Sequence, residues 1–386
     1  METSAFIQHP EKFTCSPHAT AVSFEEASMP ARLSCVQPLT VITPGAWRLA
    51  ADHCIVNKYV NVAIISDSVI DQHFGSYMKE CLGNNFDLAH IDGAIAKKKG
   101  ELLPDPYKLH NIDVILGIGG GTNIDQAKLF AKRNAKPWIA LPTKPTAAIV
   151  SGHASITKNG NRVSEPTKNP EAVFIDEDLF NQVDLMCLKS EFGDSLSSLS
   201  AVGDAYLANI DRKTPVKSLF LKSAYMVATR ALGIDDITSS EGIRRLYETN
   251  LEYAEIMKDY KSSLPCSGSE HAVSHALDTL GSRQLHGIQV GFTTLVATQL
   301  QSTLRDLADR FQREEIPQVP TEQLRESLEK HGFPTRLSDL GIRPGVFAEA
   351  LHKAPTVRAV NDRRYTVLDR FCVEDIMANL AKAELL

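Results

Sequence analysis

The stretch Ile112-Asp-Val-Ile-Leu-Gly-Ile-Gly-Gly-Gly-Thr-Asn-Ile-Asp-Gln-Ala-Lys128 decides the predicted fold, because an apolar strand runs into glycines that open a helix. Backbone N–H groups at a helix start, together with the helix dipole, can hold a pyrophosphate. Gly119, Gly120 and Gly121 would let the backbone approach that anion closely. The spacing differs from the common G-x-G-x-x-G pattern, so a simple tight turn remains a second interpretation.

Strand and helix patterns alternate on both sides of this stretch. The predicted buried strands cover residues 39–43, 61–66, 86–91, 112–117 and 138–141, and a helix follows the first strand at residues 46–55. Apolar strands that alternate with helices predict crossover connections and a mostly parallel sheet that is covered on both faces.

After about residue 178 the pattern becomes helical. Apolar residues recur at helical spacing over residues 216–232, 241–260, 270–280, 290–304 and 322–331. We therefore predict an N-terminal extension (1–35), an α/β dinucleotide-binding domain (36–178) and an all-α domain (179–386). Ligands of parallel sheets bind beyond the carboxyl ends of the strands, so the active site is expected in the cleft between the two domains.

Composition excludes several classes of protein. The chain has 386 residues, 43% of them hydrophobic, and its net charge of −6 argues against a nucleic acid partner. No apolar stretch has the roughly 18 residues of a membrane span, and the N-terminus lacks the apolar core of a signal peptide. Seven scattered cysteines without a C-x-x-C pair indicate a reduced, cytoplasmic protein.

Three charged residues are candidates for, or neighbours of, the nucleotide site: two follow the glycine run and one ends the second strand. Asp125 and Lys128 are one helical turn apart, and Asp125 is a candidate for the cofactor side of the site. The alternative is an exposed ion pair of small energetic worth. Asp67 ends the second strand, where a carboxylate could accept a bond from a ribose hydroxyl, although a turn or cap residue is the simpler interpretation.

A histidine-rich segment suggests a metal site. In Ser267-Gly-Ser-Glu-His-Ala-Val-Ser-His-Ala-Leu-Asp278, His271 and His275 lie four residues apart on one helix face, and His286 follows nearby. Catalytic zinc commonly takes three protein ligands of mixed histidine and carboxylate type, and Asp194 and Asp204 are both candidates for the carboxylate. Capping, core or surface histidines remain the alternative interpretation.

These motifs, taken together, resemble the sn-glycerol-1-phosphate dehydrogenases, within the group that holds glycerol dehydrogenase, iron-dependent alcohol dehydrogenases and dehydroquinate synthase. The matching stretches follow the family order from about residue 39 onward. They are Gly119 to Lys128, Leu141-Pro-Thr143, Phe192-Gly-Asp194, Ser267 to Asp278, Leu285-His-Gly-Ile-Gln-Val290 and Arg364-Tyr-Thr-Val-Leu-Asp369.

The resemblance implies roles for particular residues. It makes Asp194, His271 and His286 the metal ligands and Asp204 a helix residue, and it makes His275 a candidate proton relay or a buried structural histidine. It also implies that the glycine run holds the pyrophosphate of NAD or NADP, with Thr143 near the nucleotide. A divalent metal, zinc rather than iron, and a homodimer or larger homo-oligomer are expected on the same ground.

The implied reaction is reduction of a small ketone, with dihydroxyacetone phosphate as the first expectation. One departure bears on the substrate, because Ala147 and Ala148 stand where the family has an Asp-Gly pair. Two alternatives remain open: a cyclase like dehydroquinate synthase with the same cofactor and metal, and a non-enzymatic nucleotide-binding protein. A substrate phosphate could meet some of the basic residues on nearby loops, which are Lys144, His153, Arg162 and Lys168.

Overall fold

The computed structural model describes residues 38–83, 86–92, 112–146, 148–149, 151–158, 161–357 and 363–386. The predicted extension over residues 1–35 and the departure at Ala147 lie outside the described residues. Within the described chain, no helix combines the length and the apolar composition that a membrane crossing requires.

A six-stranded parallel sheet forms the first part of the chain, as predicted. Its strands are β1 (Leu39–Thr43), β2 (Asn61–Ser66), β3 (Asp87–Asp92), β4 (Val114–Gly119), β5 (Trp138–Pro142) and β8 (Ala172–Asp176). They lie in the order β1-β8-β5-β4-β2-β3. The strands predicted at 86–91 and 112–117 correspond to β3 and β4, whose observed positions are shifted by one and two residues.

Three strands were missed by the sequence analysis. β8 is fully buried and pairs between β1 and β5. β6 (His153–Lys158) and β7 (Asn161–Pro166) form a separate antiparallel hairpin. Their sequences are short and mix polar with apolar residues, so neither strand shows the apolar run that marks the strands of the main sheet.

The two faces of the sheet belong to two hydrophobic cores. Successive strand residues point to opposite faces, so Val62 and Ile64 of β2 pack with helices α1 (Ala46–Val56) and α2 (Ser68–Leu82). Ala63 and Ile65 pack on the other side with α3 (Gly121–Asn134), in a core that continues through the helical part of the chain. One core therefore joins the sheet to the helices that follow it.

The helical part confirms the predicted change of pattern. Its helices are α4 (Leu185–Ser195), α5 (Ser198–Arg212), α6 (Ser218–Leu232), α7 (Ser240–Tyr260), α8 (Ser269–Thr279), α9 (His286–Gln301), α10 (Arg305–Arg313), α11 (Thr321–Lys330), α12 (Pro344–Lys353) and α13 (Val373–Lys382). The run predicted at 290–304 begins four residues earlier, at His286. This places His286 in the first turn of α9.

Candidate metal and nucleotide site

Three helices bring Asp194, His271 and His286 together. Asp194 lies in the last turn of α4, His271 in the first turn of α8, and His286 at the start of α9. The Asp194 Oδ1 atom is 3.2 Å from His271 Nε2 and 3.9 Å from His286 Nε2. One ligand atom from each residue lies within 4.8 Å of the others, which suits a single divalent cation.

A glycine contact between α4 and α9 sets this geometry. A Cβ atom at Gly287 would overlap the carbonyl oxygen of Ser190, and one at Gly193 would overlap the carbonyl oxygen of Gly287. The two backbones approach so closely only because neither glycine carries a side chain. Asp194 and His286 are the chain neighbours of these glycines, so the close crossing places their side chains side by side.

Glu270 orients His271. His271 Nδ1 is 2.9 Å from Glu270 Oε1, and Glu270 is fully buried, with further bonds from the Gly268 N–H and the Ser200 hydroxyl. Burial alone would raise the pKa of Glu270, but these bonds, with that of His271 the largest, outweigh burial and lower it. An ionised carboxylate on Nδ1 leaves Nε2 as the nitrogen that faces Asp194, which is the arrangement of metal-binding histidines.

The same contacts shift the protonation of His271. Burial alone would lower its pKa, but the hydrogen bonds with Asp194 and Glu270 outweigh burial and raise the pKa to about 9. A proton on Nε2 occupies the position between His271 and Asp194 that a cation would take. The local field therefore favours positive charge at the point where the ligand atoms converge.

His275 lies beside the two histidine ligands. Its ring stacks on that of His286 at 5.2 Å between centroids, with 8° between the planes, and lies 6.1 Å from His271. His275, Asp278 and His286 also form a second group with ligand atoms within 4.8 Å of each other. Because His286 belongs to both groups, its imidazole links His275 to the candidate metal site.

The structure separates Asp204 from the three candidate ligands. Asp204 is buried in α5 and accepts bonds from the backbone N–H groups of Ser269 and Val367 and from Gln301 Nε2. Burial and the neighbouring carboxylate of Glu270 raise the pKa of Asp204 to about 7. Through the bond from the Ser269 N–H, Asp204 of α5 holds the start of α8, which agrees with a structural role.

The glycine run opens α3 at the carboxyl end of β4, as the sequence indicates. Gly119 has a φ of +134°, which favours glycine, and Gly120 is the N-cap residue directly before α3. Thr143, at the end of the neighbouring strand β5, is buried and donates its backbone N–H to the carbonyl of Gly119 at 3.2 Å. The two loops therefore meet at the edge of the sheet where nucleotides bind in such folds.

Asp67 performs the capping role that was the simpler interpretation. One carboxylate oxygen accepts bonds from the N–H groups of Val69 and Ile70 at the start of α2. The other accepts a 2.8 Å bond from Asn123 Nδ2, which ties α2 to the helix that follows the glycine run. Asp67 thus adjoins the candidate nucleotide loop, and both of its oxygens have partners within the chain.

The alternative interpretation of Asp125 and Lys128 as an exposed ion pair is wrong. The Lys128 side chain is 0% exposed, and its Nζ donates to Asp125 at 3.2 Å, to the Ser151 hydroxyl at 2.9 Å and to the His153 carbonyl at 2.9 Å. The second oxygen of Asp125 accepts from the Ser155 N–H. The pair therefore ties α3 to the start of the β6–β7 hairpin, against which α3 packs.

Lys144 connects the nucleotide loop with the candidate metal site. Its Nζ is 3.7 Å from Glu191 Oε1, and a Cβ at Gly120 would stand 2.8 Å from its Cε. Glu191 lies one turn before Asp194 on α4. Burial, with a contribution from Asp194, raises the pKa of Glu191 to about 8, although Lys144 opposes this shift. Among the other basic candidates, His153 and Lys168 are exposed, and the side chain of Arg162 lies outside the described residues.

Sequence reasoning missed the residues that support the candidate ligands. Glu191 precedes Asp194 by three residues, so helical spacing could have indicated it. Glu270 directly precedes His271, and adjacent residues of a helix do not share a face, so helical spacing gave no signal for Glu270. Ser274, which contacts His286 Nδ1 at 2.9 Å, lies between the two histidines of α8 and reads as an ordinary helix residue.

Comparison with known proteins identifies the family. The family model described as iron-containing alcohol dehydrogenase matches residues 41–183. A glycerol-1-phosphate dehydrogenase [NAD(P)+] of Thermococcus sibiricus is 34% identical over 312 residues, covering 77% of this chain and 83% of the relative. Its counterpart in Thermococcus kodakarensis is 33% identical over 313 residues, with 77% and 84% coverage.

Solved structures support the same fold. A probable glycerol dehydrogenase from Sinorhizobium meliloti superposes with a TM-score of 0.65 at 21% identity, covering 92% of this chain and 100% of that one. The glycerol dehydrogenase of Schizosaccharomyces pombe superposes with a TM-score of 0.61 at 18% identity, with 91% and 92% coverage. The chain therefore belongs to the iron-containing alcohol dehydrogenase superfamily and, within it, to the family of the glycerol-1-phosphate dehydrogenases.

Proposed function

We propose that the protein is a metal-dependent, NAD(P)-linked oxidoreductase that reduces dihydroxyacetone phosphate, or a closely related small ketone, to the corresponding secondary alcohol. The observation that carries the proposal is the convergence of Asp194, His271 and His286 on one point. The curated relatives are named glycerol-1-phosphate dehydrogenases, which supports this choice of substrate.

The donor set fits a divalent metal. Two imidazole nitrogens and one carboxylate oxygen leave a tetrahedral cation with one open position, as catalytic zinc requires. The buried carboxylate of Glu270 on His271 is the supporting contact that such ligands commonly have. When bound, the metal would polarise the carbonyl oxygen of the substrate and the reduced nicotinamide would supply hydride to the carbonyl carbon.

The loops at the end of the sheet fit a dinucleotide. Gly119, Gly120 and Gly121 bring bare backbone to the start of α3, where N–H groups and the helix dipole favour a pyrophosphate. Thr143 adjoins this loop, and Asp67 and Asp125 hold the neighbouring segments. We assign the glycines and Thr143 to direct contact with the cofactor, and we assign the two aspartates to the shape of its binding site.

His275 is the residue proposed to handle the proton. Its imidazole stacks on that of His286, and imidazole groups commonly serve as general acids and bases in enzymes. Lys144, beside both Gly120 and Glu191, places positive charge between the nucleotide loop and the metal ligands. That charge would attract a substrate phosphate in the cleft. This attraction does not depend on the Asp-Gly pair of the family, which Ala147 and Ala148 replace here.

Four finer assignments belong to the same proposal. We propose that the domains meet near residue 178, that zinc is the metal, that the chain assembles as a homodimer, and that it works in the cytoplasm. The five cysteines of the described chain are unpaired, which supports a reducing compartment. Metal analysis by mass spectrometry and light scattering of the purified protein would test the metal and the oligomer.

The test is an assay with dihydroxyacetone phosphate and NADH or NADPH, which follows the loss of reduced-nicotinamide absorbance. We expect oxidation of the nicotinamide that stops on chelation and returns when zinc is added. Activity on another ketone alone would change the assigned substrate and leave the assigned reaction type as it is. Phosphate release from a sugar phosphate without net cofactor turnover would favour the cyclase, and silence throughout would favour a nucleotide-binding protein.

A further inference from the structure

We propose that Gln289 is a positioning residue, which fixes the tautomer of His286 and so decides which ring nitrogen meets the metal. The inference rests on the metal-binding role proposed above. It concerns Gln289 and its hydrogen-bond partners Ser274, Asp278, Ser282 and Gln284, which we call the Gln289 network. In this network the contacts leave one consistent placement of the hydrogen atoms.

The orientation of the Gln289 amide follows from its neighbours. Gln289 is fully buried, and its Nε2 lies 3.0 Å from Asp278 Oδ1 and 3.0 Å from the carbonyl oxygen of Gln284. A carboxylate oxygen and a backbone carbonyl oxygen only accept hydrogen bonds, so the NH₂ end of the amide must face them. The opposite end, Oε1, therefore faces Ser274 at 3.1 Å and can only accept.

The proton of Ser274 is thereby committed to Gln289. A hydroxyl has one proton to donate, and Ser274 gives it to Oε1 of Gln289. The remaining contact, 2.9 Å from Ser274 Oγ to His286 Nδ1, then requires the imidazole to donate. His286 carries its proton on Nδ1, and the lone pair for a metal lies on Nε2, the atom that faces Asp194.

Burial makes this arrangement hard to reverse. Ser274 and Gln289 are both 0% exposed, so water does not readily replace a lost partner. If Ser274 turned its proton toward His286, the buried Oε1 of Gln289 would lose its donor, which is unfavourable. The network therefore acts on His286 as Glu270 acts on His271: each ring is held by its Nδ1, so that Nε2 points toward the same cation.

The test compares Gln289→Met, which keeps the length of the side chain and removes its hydrogen bonds, with Thr298→Val. Thr298 is half-buried on the same helix, α9, and its hydroxyl donates to the carbonyl oxygen of Leu295 at 3.0 Å. Zinc affinity is measured by competition with a chromogenic chelator. We expect about 10–100-fold weaker binding in Gln289→Met, as for other residues that support metal ligands, and no comparable loss in Thr298→Val.

A second readout reports the tautomer directly. Nitrogen NMR of ¹⁵N-histidine-labelled protein, freed of metal and kept at a pH where an imidazole is neutral, separates protonated from unprotonated ring nitrogens. We expect protonated Nδ1 for His286 in the wild type and a shift toward protonated Nε2 in Gln289→Met. Ser274→Ala should weaken zinc binding similarly, and the double variant should lose little more, because both residues act through one chain of bonds.

The outcomes separate the inference from the proposed function. Wild-type zinc affinity in both Gln289→Met and Thr298→Val, or a wild-type His286 with its proton on Nε2, would overturn the inference and leave metal binding intact. A wild-type chain that takes up no metal would contradict the proposed function and, with it, this role of Gln289. Circular dichroism of each variant shows that it is folded, and the wild-type spectrum remains decisive if a variant is not.

Discussion

His271 is held between two carboxylates, and its position makes it the most sensitive of the candidate ligands. The His271→Ala substitution removes a nitrogen ligand and leaves Asp194 and Glu270 without their shared partner. We expect metal affinity to fall by at least about 100-fold. The loss of a residue that only supports a ligand typically costs about 10–100-fold, and the loss of a ligand itself should cost as much or more. Metal content after gel filtration would measure the loss, with the exposed His352 as control: His352→Ala should retain its metal.

Asp204 makes a prediction about pH. Its pKa is raised to about 7 in the folded chain, against about 3.9 for an unperturbed aspartate, so the folded state holds a proton that the unfolded state releases in this window. The contribution of Asp204 to the free energy of unfolding is therefore largest at acid pH and declines as pH rises from about 4 to about 7.

Urea unfolding of wild type and Asp204→Asn at pH 5 and pH 8 would test this contribution. The amide cannot ionise, so the variant should lose less stability than the wild type between the two values, whatever its absolute stability. Identical differences in the two proteins would show that Asp204 does not titrate in this range.

The crossing of α4 and α9 is the element-scale feature on which the candidate site depends. A methyl group at Gly287 would overlap the Ser190 carbonyl, a backbone atom that can move only with its helix. We expect Gly287→Ala to separate the helices, to cost roughly 1–3 kcal/mol of unfolding free energy or more, and to weaken metal binding.

A matched control is available in α2. Gly75 lies within that helix, and a Cβ there would meet nothing within 4 Å in the described chain. Gly75→Ala should therefore stabilise the protein by roughly 0.5–1 kcal/mol and leave metal affinity unchanged. Thermal unfolding and zinc titration of both variants would measure these effects, and a Gly287→Ala protein with normal affinity would contradict the role of the crossing.

At the scale of the whole molecule, one hydrophobic core joins the sheet to the helices. Ile65 and Trp138 of the sheet share this core with Phe192 of α4 and Phe292 of α9. The candidate ligands lie entirely in the helical part, whereas both tryptophans of the chain, Trp47 and Trp138, belong to the sheet part. Tryptophan fluorescence therefore reports on the sheet part, whereas circular dichroism, which is dominated by helices, reports mainly on the helical part.

We expect zinc to raise the midpoint of both signals together in urea unfolding. Binding to the folded state alone adds about 2.7 kcal/mol at a free metal concentration of about 100 times Kd, and a shared core transmits this gain to the sheet. A zinc effect on the circular dichroism signal without one on tryptophan fluorescence would show that the two parts unfold independently.

Short-range sequence patterns determined most of the strands and helices and which residues share a face of them. Apolar strands, a glycine run before α3 and the four-residue spacing of His271 and His275 depend on residues that are close in the chain. Backbone preferences and hydrophobic periodicity act at this range, so they predict strands, helices and shared helix faces. The strands β6 and β7 escaped prediction because they mix polar with apolar residues. The buried strand β8 has an apolar run as long as those of β1 and β5, so its pattern could have predicted it.

Tertiary structure alone decided which distant residues meet. Phe192-Gly-Asp194 and Val202-Gly-Asp204 look alike as sequence, and the residues by themselves left both aspartates open as ligands. The glycine crossing of α4 and α9 brings Asp194 to the histidines, whereas α5 carries Asp204 to the start of α8. Lys128 is buried for the same reason: its environment is set by packing between segments far apart in the chain, which short-range patterns do not encode.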